Sequence, residues 1–406
     1  MTPAHWAVLA VAALSTLLLT PVVRWVATKR GALVQPDARR VHERPTAALG
    51  GLAMGAAVLL ALGVASQLKG FEEVFATPTI PIGVGAAALV AVAVGWLDEI
   101  RKVHGNGVSA PAKMAGLVLA GSILTLAGVS TVFFRVPFLG IFSLSPDLSA
   151  FVTVCWVVGM ANALNFIDGL DGLAAGITAI ASGAFLLYAL RLDEVGVVTP
   201  GNVGPLLAVI TLGVCVGFLP WNVHPARIFM GDCGALLLGT LMAAATMSVG
   251  GSTDAVYSGQ SFFFLAPLFI PLVILGVPIL DTAFAIVRRA SRRSGVATAD
   301  KGHLHHRLLK LGHGHRRAVF ILWAWTALLS AAVLVPALTN RGDALVPLAI
   351  GGLFLILYTA LHPSVRAARS EANGEAAAEA ATPAPAPAAK RRAHERVGSV
   401  AGRSDT

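Results

Sequence analysis

Charge is scarce in this sequence: Asp, Glu, Lys and Arg make up 13% of its 406 residues, against about 25% in ordinary soluble domains. With 56% of the residues hydrophobic and a mean hydropathy of +0.76, a water-soluble fold is excluded, because too little polar surface exists to cover such a core. The bilayer is the solvent. Cysteine is rarer still. Cys155, Cys215 and Cys233 stand at no paired spacing, which excludes a disulfide framework and a thiolate zinc site and leaves them as small packing residues. No GxxxxGK[ST] segment occurs, so P-loop nucleotide chemistry is excluded. Nor is there an internal repeat of the kind found in duplicated transporter halves.

What the sequence does have is a series of apolar runs. Crossing roughly 30 Å of hydrocarbon takes about 20 helical residues, and runs of that order recur along most of the chain. They cover His5–Val26, Leu49–Leu68, Ile80–Leu97, Ala112–Val129, Leu148–Ala163, Leu173–Leu192, Val203–Leu219, Ala235–Ser252, Phe262–Val287, Ala318–Ala337 and Ala344–Leu361. The expected fold class is therefore all-α, a polytopic membrane bundle of about eleven transmembrane helices. The first run lacks a charged n-region before it and a small-residue cleavage site after it, and reads as a retained helix. Residues 1–362 form the membrane domain. Residues 363–406, rich in Ala, Pro and Arg, cannot bury a core and read as a disordered tail, with a solvated basic cluster around Lys390, Arg391 and Arg392.

Lys69, Arg135, Arg191 and Arg341 fall in one set of alternate loops, Arg24 ends the first helix, and nearly all other basic residues fall in the opposite set. The positive-inside rule makes that second side cytoplasmic, with the N-terminus outside and the C-terminus inside. The net charge of +9 is then a topology signal and an attraction to anionic membrane lipid, not a nucleic-acid footprint.

Once topology is fixed, the acids fall on one side. Asp98 and Glu99 end the third run, Asp168 and Asp171 separate the fifth from the sixth, Asp232 precedes the eighth, and Asp281 lies near the inner end of the ninth. Carboxylates beside hydrocarbon are costly unless a cation or water compensates them. A hard divalent cation, Mg²⁺ or its substitute Mn²⁺, takes oxygen ligands and shares them with substrate phosphates. Isolated acids at helix ends are ordinarily caps, but so many on one side point to a site.

Three segments sharpen this. NALNFIDGLDGLAAG sets Asp168 and Asp171 one turn apart, with Asn162 and Asn165 as amide donors and acceptors, and with glycines that let a ligand approach the backbone. PARIFMGDCGALLLG puts Asp232 at a helix N-terminus, where free N–H groups favour anions. DKGHLHHRLL carries Lys301, His303, His305, His306 and Arg307. Its histidines suit zinc by type, but no Cys or acid completes the set, and the flanking Lys301 and Arg307 point to an anion clamp on a pyrophosphate. The first inner loop, PDARRVHERPTAALGG, adds Asp37, Arg39, Arg40, His42 and Arg44, some of them as membrane anchors. Lys113 reads as a snorkelling anchor or a phosphate contact.

Taken in order, NALNFIDGLDGL, FMGDCGALLLG and HLHHRL resemble the polyprenyl-phosphate N-acetylhexosamine-1-phosphate transferases, the superfamily of the WecA, TagO and MraY enzymes. The likeness runs from about Asp37 to Leu311, and HLHHRL is similar to the WecA and TagO branch. The resemblance implies an enzyme of the bacterial cytoplasmic membrane, its active site facing the cytoplasm. It would be Mg²⁺-dependent and would pass N-acetylglucosamine 1-phosphate from UDP-N-acetylglucosamine to undecaprenyl or another polyprenyl phosphate, releasing UMP and starting a lipid-linked envelope glycan. It further implies Asp232 as principal metal ligand with help from Asp171, and Asp98 and Glu99 at the lipid phosphate. Asp168 and Asp171 become paired aspartates needed for activity. Lys113, Asn162, Asn165, Asn222, His303, His305, His306 and Arg307 become substrate contacts, and a homodimer is the candidate assembly. This chain departs from the pattern in carrying Glu99 for an aspartate, Ala47 and Ala48 for Pro-Arg, and Cys233 and Ala235 for serines.

The implied chemistry is direct attack by a lipid-phosphate oxygen on the β-phosphorus; a two-step route through an aspartyl-phosphate stays open. The alternatives are the peptidoglycan-precursor branch acting on phospho-MurNAc-pentapeptide, a lipid or solute transporter, and an inactive scaffold. Transporters place ionisable groups near the bilayer midplane, whereas here the helix centres are almost uncharged.

Overall fold

Backbone polar groups in hydrocarbon must be satisfied within their own segment, so the apolar runs have no choice but to form helices. The computed structural model describes residues 1–34, 45–131, 133–136, 140–196, 198–250, 273, 275–291, 304–339 and 345–362. In chain order the helices are α1 (Pro3–Lys29), α2 (Gly50–Ala65), α3 (Glu72–Ala76), α4 (Thr79–Val103), α5 (Ala110–Leu126), α6 (Pro146–Ile167) and α7 (Leu173–Glu194). They continue with α8 (Gly204–Asn222), α9 (Gly231–Gly250), α10 (Gly276–Ser291), α11 (Leu304–Lys310), α12 (His315–Thr339) and α13 (Leu345–Leu361). Two small antiparallel hairpins complete the described residues: β1 (Leu33–Val34) with β2 (Thr46–Ala47), and β3 (Phe133–Val136) with β4 (Gly140–Ser143).

The protein is thus an all-α polytopic membrane bundle. Among the described residues, 7 helices are long and apolar enough to cross a membrane, or up to 8 if α2 and the segment Lys69–Ala76, bent by 97°, make one span. Ala110–Leu126 and Leu345–Thr359 are apolar but shorter. The expectation of about eleven spans thus stands at 7 or 8 among the described residues. The first inner-loop residues Asp37, Arg39, Arg40, His42 and Arg44, together with Lys301, His303 and the tail 363–406, lie outside the described residues.

Local chemistry sets the helix ends. Ser145 accepts the Leu148 N–H at the start of α6, with Pro146 and Asp147 in the first turn, each favourable there. Gly172 begins α7 with φ +78°, a left-handed conformation open to glycine.

Burial shows which helix is central. The apolar window of α9 is 94% buried and that of α1 only 22%, and α9 packs against α2, α4, α6 and α8. Between helices in a bilayer, close packing of small residues replaces the hydrophobic effect. A side chain at Gly95 on α4 would collide with the Asp232–Cys233 backbone, and one at Gly51 on α2 with Cys233 and Gly234. These two glycines let the first turn of α9 lie directly against its neighbours, and Asp232 is carried on that turn.

Candidate active site

Asp98 is fully buried and Glu99 is 7% exposed, so each needs a partner. Lys102, one turn along α4, and Lys113, on the first turns of α5, provide them. Lys102 Nζ lies 2.6 Å from Asp98 Oδ2, 3.0 Å from Glu99 Oε1 and 3.2 Å from Asp232 Oδ1. Lys113 Nζ lies 2.7 Å from both Asp98 Oδ2 and Asp232 Oδ2. Asp98 Oδ1 also accepts the Val108 N–H at 2.7 Å, and Glu99 Oε1 accepts the Asp232 N–H at 3.1 Å. Gly231, at φ +63°, makes the turn into α9, and a Cβ there would strike the Ala48 carbonyl.

Chemically, Asp98, Glu99 and Asp232 offer carboxylate oxygens all within 4.8 Å of one another. That donor set fits Mg²⁺ or Mn²⁺, hard cations that take oxygen. Two ammonium groups against three carboxylates leave the cluster net negative, which favours a cation. Asp168, the half-buried residue ending α6, adds little to that charge. Burial pushes its carboxyl up to about 8, helped by the negative charges of Asp232, Glu99 and Asp171.

Asp171 is brought to different company. Its Oδ2 accepts from His224 Nδ1 at 2.7 Å and from the Ala226 N–H at 3.1 Å, while its own N–H donates to His315 Nε2 at 2.9 Å. The two imidazoles stack at 4.2 Å between centroids. Buried Asn222 accepts the Gly172 N–H at 3.0 Å and donates to the Ile228 carbonyl at 3.0 Å. It therefore ties the α6–α7 turn to the loop before α9, a positioning role.

The remaining expected residues are dispersed around these clusters. Asn162 spends its amide on the Val158 carbonyl at 2.7 Å. Asn165, half-buried and one turn before Asp168, has no hydrogen-bond partner among the described residues. His305, His306 and Arg307 lie on α11, with Arg307 exposed. Asp281, buried on α10, accepts the Leu304 N–H at 2.8 Å and so holds the start of α11 rather than joining the carboxylate cluster. Lys102, His224 and His315 are the functional-looking residues that sequence reasoning missed. Lys102 carried a visible signal, the one-turn spacing from Asp98 on a helix; the two histidines carried none beyond their type.

Glycosyl transferase family 4 matches residues 81–250, the stretch that holds Asp98, Glu99, Lys102, Lys113, Asp168, Asp171, His224 and Asp232. The chain is 38% identical over 327 residues, 79% of this chain and 79% of the relative, to a decaprenyl-phosphate N-acetylglucosaminephosphotransferase of Mycobacterium tuberculosis. The chain belongs to glycosyl transferase family 4. A further relative is a probable undecaprenyl-phosphate N-acetylglucosaminyl 1-phosphate transferase of Bacillus subtilis, 34% identical over 330 residues, 80% of this chain and 83% of the relative. A phospho-N-acetylmuramoyl-pentapeptide-transferase of Desulforudis audaxviator is 33% identical over 339 residues, 77% of this chain and 92% of the relative. The family match ends at residue 250, yet the pairwise similarities extend over most of the chain, so α11 and α12 are not appendages to the matched part.

Proposed function

We propose that this chain transfers N-acetylglucosamine 1-phosphate from UDP-N-acetylglucosamine to a polyprenyl phosphate, releasing UMP, at the cytoplasmic face of a bacterial inner membrane. The observation that carries the reading is the carboxylate–lysine cluster, in which Asp98, Glu99 and Asp232 are interleaved with Lys102 and Lys113 at one end of the bundle. The relatives whose names specify N-acetylglucosamine phosphate transfer give the donor, and HLHHRL favours that branch over the pentapeptide branch.

Asp98, Glu99 and Asp232 would hold Mg²⁺. When bound, Mg²⁺ would neutralise charge on the pyrophosphate and the leaving UMP. A phosphate monoester has its second pKa near about 6 and is largely dianionic at neutral pH, so the acceptor needs no strong base. A lipid-phosphate oxygen attacks the β-phosphorus, and the bond from that phosphorus to the bridging oxygen breaks, with the oxygen leaving on UMP. Lys102 and Lys113, each already shared among carboxylates, are placed to turn an ammonium toward the incoming lipid phosphate. Arg307 on α11 would meet the pyrophosphate. Asp171 orients His224 and the α6–α7 turn instead of meeting the metal.

The reading is tested by incubating purified protein with undecaprenyl phosphate, Mg²⁺ and radiolabelled UDP-N-acetylglucosamine, with Asp232→Asn as control. Lipid-linked label from the parent protein and none from the variant is expected. No label from the parent, or equal label from both, would sink the proposal.

A further inference from the structure

Outside the carboxylate–lysine cluster, His224, Gly314, His315, Arg316 and Arg317 line a cavity of about 460 Å³. Hydrogen-bond accounting fixes the state of its imidazoles. An ionised carboxylate only accepts, so His224 Nδ1 donates its N–H to Asp171 Oδ2, and Nε2 is the free ring nitrogen of a side chain 37% exposed. His315 Nε2 receives the Asp171 N–H, so the His315 proton sits on Nδ1. That Nδ1 is buried and has no hydrogen-bond partner among the described residues, on a side chain only 10% exposed. Arg316 reaches across to the His224 carbonyl at 3.3 Å. Neither Arg316 nor Arg317 has a carboxylate partner among the described residues.

Two imidazoles and a carboxylate are ligand types that zinc accepts. Here, however, a metal would have to break the His224–Asp171 bond and displace the Asp171 N–H from His315, leaving a half-buried backbone donor unpaired. The hydrogen-bonded arrangement is complete as it stands and presents no empty ligand set. What it leaves available is outward: one imidazole nitrogen and two guanidiniums that have no carboxylate partner among the described residues, bordering the same cavity. Guanidinium is the planar donor that matches phosphate oxygens. The imidazole Nε2, left as an acceptor by the Nδ1 bond to Asp171, can take a hydrogen bond from the P–OH of a monoanionic phosphate.

We propose that this cavity binds a phosphate group through Arg316, Arg317 and His224 Nε2, with Asp171 and His315 as the positioning residues that fix the His224 ring. The phosphate belongs either to a soluble phosphate ester or to an anionic lipid headgroup, and both sources present the same oxygens. Phosphate occupancy of this site is measured separately from transfer, since binding needs neither a metal nor turnover.

The test uses the full chain in phosphatidylcholine nanodiscs with EDTA, titrated with inorganic phosphate at constant ionic strength while thermal unfolding is followed by tryptophan fluorescence. A saturable stabilisation is expected in the parent. Its apparent affinity should fall by about tenfold or more in the Arg316→Gln/Arg317→Gln double variant, the loss expected when charge-assisted hydrogen bonds are removed. Equal shifts from phosphate and chloride, or a folded double variant with the parent's phosphate dependence, would overturn the proposal. If the double glutamine variant does not fold, His224→Gln in an Arg316→Lys/Arg317→Lys background is judged by the same criterion. Repeating the titration in nanodiscs containing phosphatidylglycerol separates the sources. Loss of the phosphate response identifies the lipid headgroup as occupant, and an unchanged response identifies a soluble phosphate.

Discussion

Asp232 and Asp171 stand at the same end of the bundle, each beside a glycine-marked helix entry, and their surroundings are opposite in kind. Both oxygens of Asp232 face lysine ammonium groups, flexible point charges that can move aside or be joined by another cation. Asp171 is held by an imidazole N–H and a backbone N–H, directional donors that cannot leave without being orphaned. One carboxylate is balanced by charge and is exchangeable; the other is built into the scaffold. Residue type alone does not decide which acids in such a rim do chemistry.

The sharpest way to break this contrast is to neutralise each acid in turn. Asp232→Asn should lower kcat/KM by more than about 100-fold, since loss of a metal ligand exceeds the 10–100-fold typical of its supporting partners. Asp171→Asn should cost about tenfold, because the amide still accepts hydrogen bonds and only weakens the hold on His224. Steady-state transfer rates with the two variants side by side check this, and equal losses would erase the distinction.

A smaller effect sharpens the charge-balanced side. Glu99 Oε1 accepts the Asp232 N–H, a reach that its extra methylene allows. Glu99→Gln keeps an acceptor oxygen at that length but removes the charge that Lys102 and the cation meet, and should lose about tenfold or more. Glu99→Asp keeps the charge but falls short of the N–H, and should lose about fivefold, the worth of roughly 1 kcal/mol of hydrogen bond. The reverse ranking, measured as kcat/KM and thermal midpoint for both variants, would make the hydrogen bond to the Asp232 N–H, and not the Glu99 charge, the essential feature.

Much of this was legible in the sequence, for a physical reason. Hydrocarbon forces every long apolar run into helix, so α1, α4, α6–α9 and α12 fall where the runs fall. Asp98, Lys113 and Asp232 were identified because charge at a membrane rim is costly and therefore conspicuous. The partner of Asp171 was not legible. His224 is 53 residues away and His315 is 144 away, and each stands on a loop or helix entry whose packing no local spacing encodes. Asp281 illustrates a related point: a rim acid looks the same in sequence whether it meets a metal or accepts a backbone N–H, as Asp281 does from Leu304.

The central claim is that the cation belongs to Asp98, Glu99 and Asp232 and not to Asp171. Mg²⁺ titration of the transfer rate in the parent, Asp171→Asn and Asp232→Asn tests it most directly. The account predicts an unchanged half-saturating Mg²⁺ concentration for Asp171→Asn and a loss of saturation, or a large rise in that concentration, for Asp232→Asn. A rise in Asp171→Asn as large as that in Asp232→Asn would contradict it.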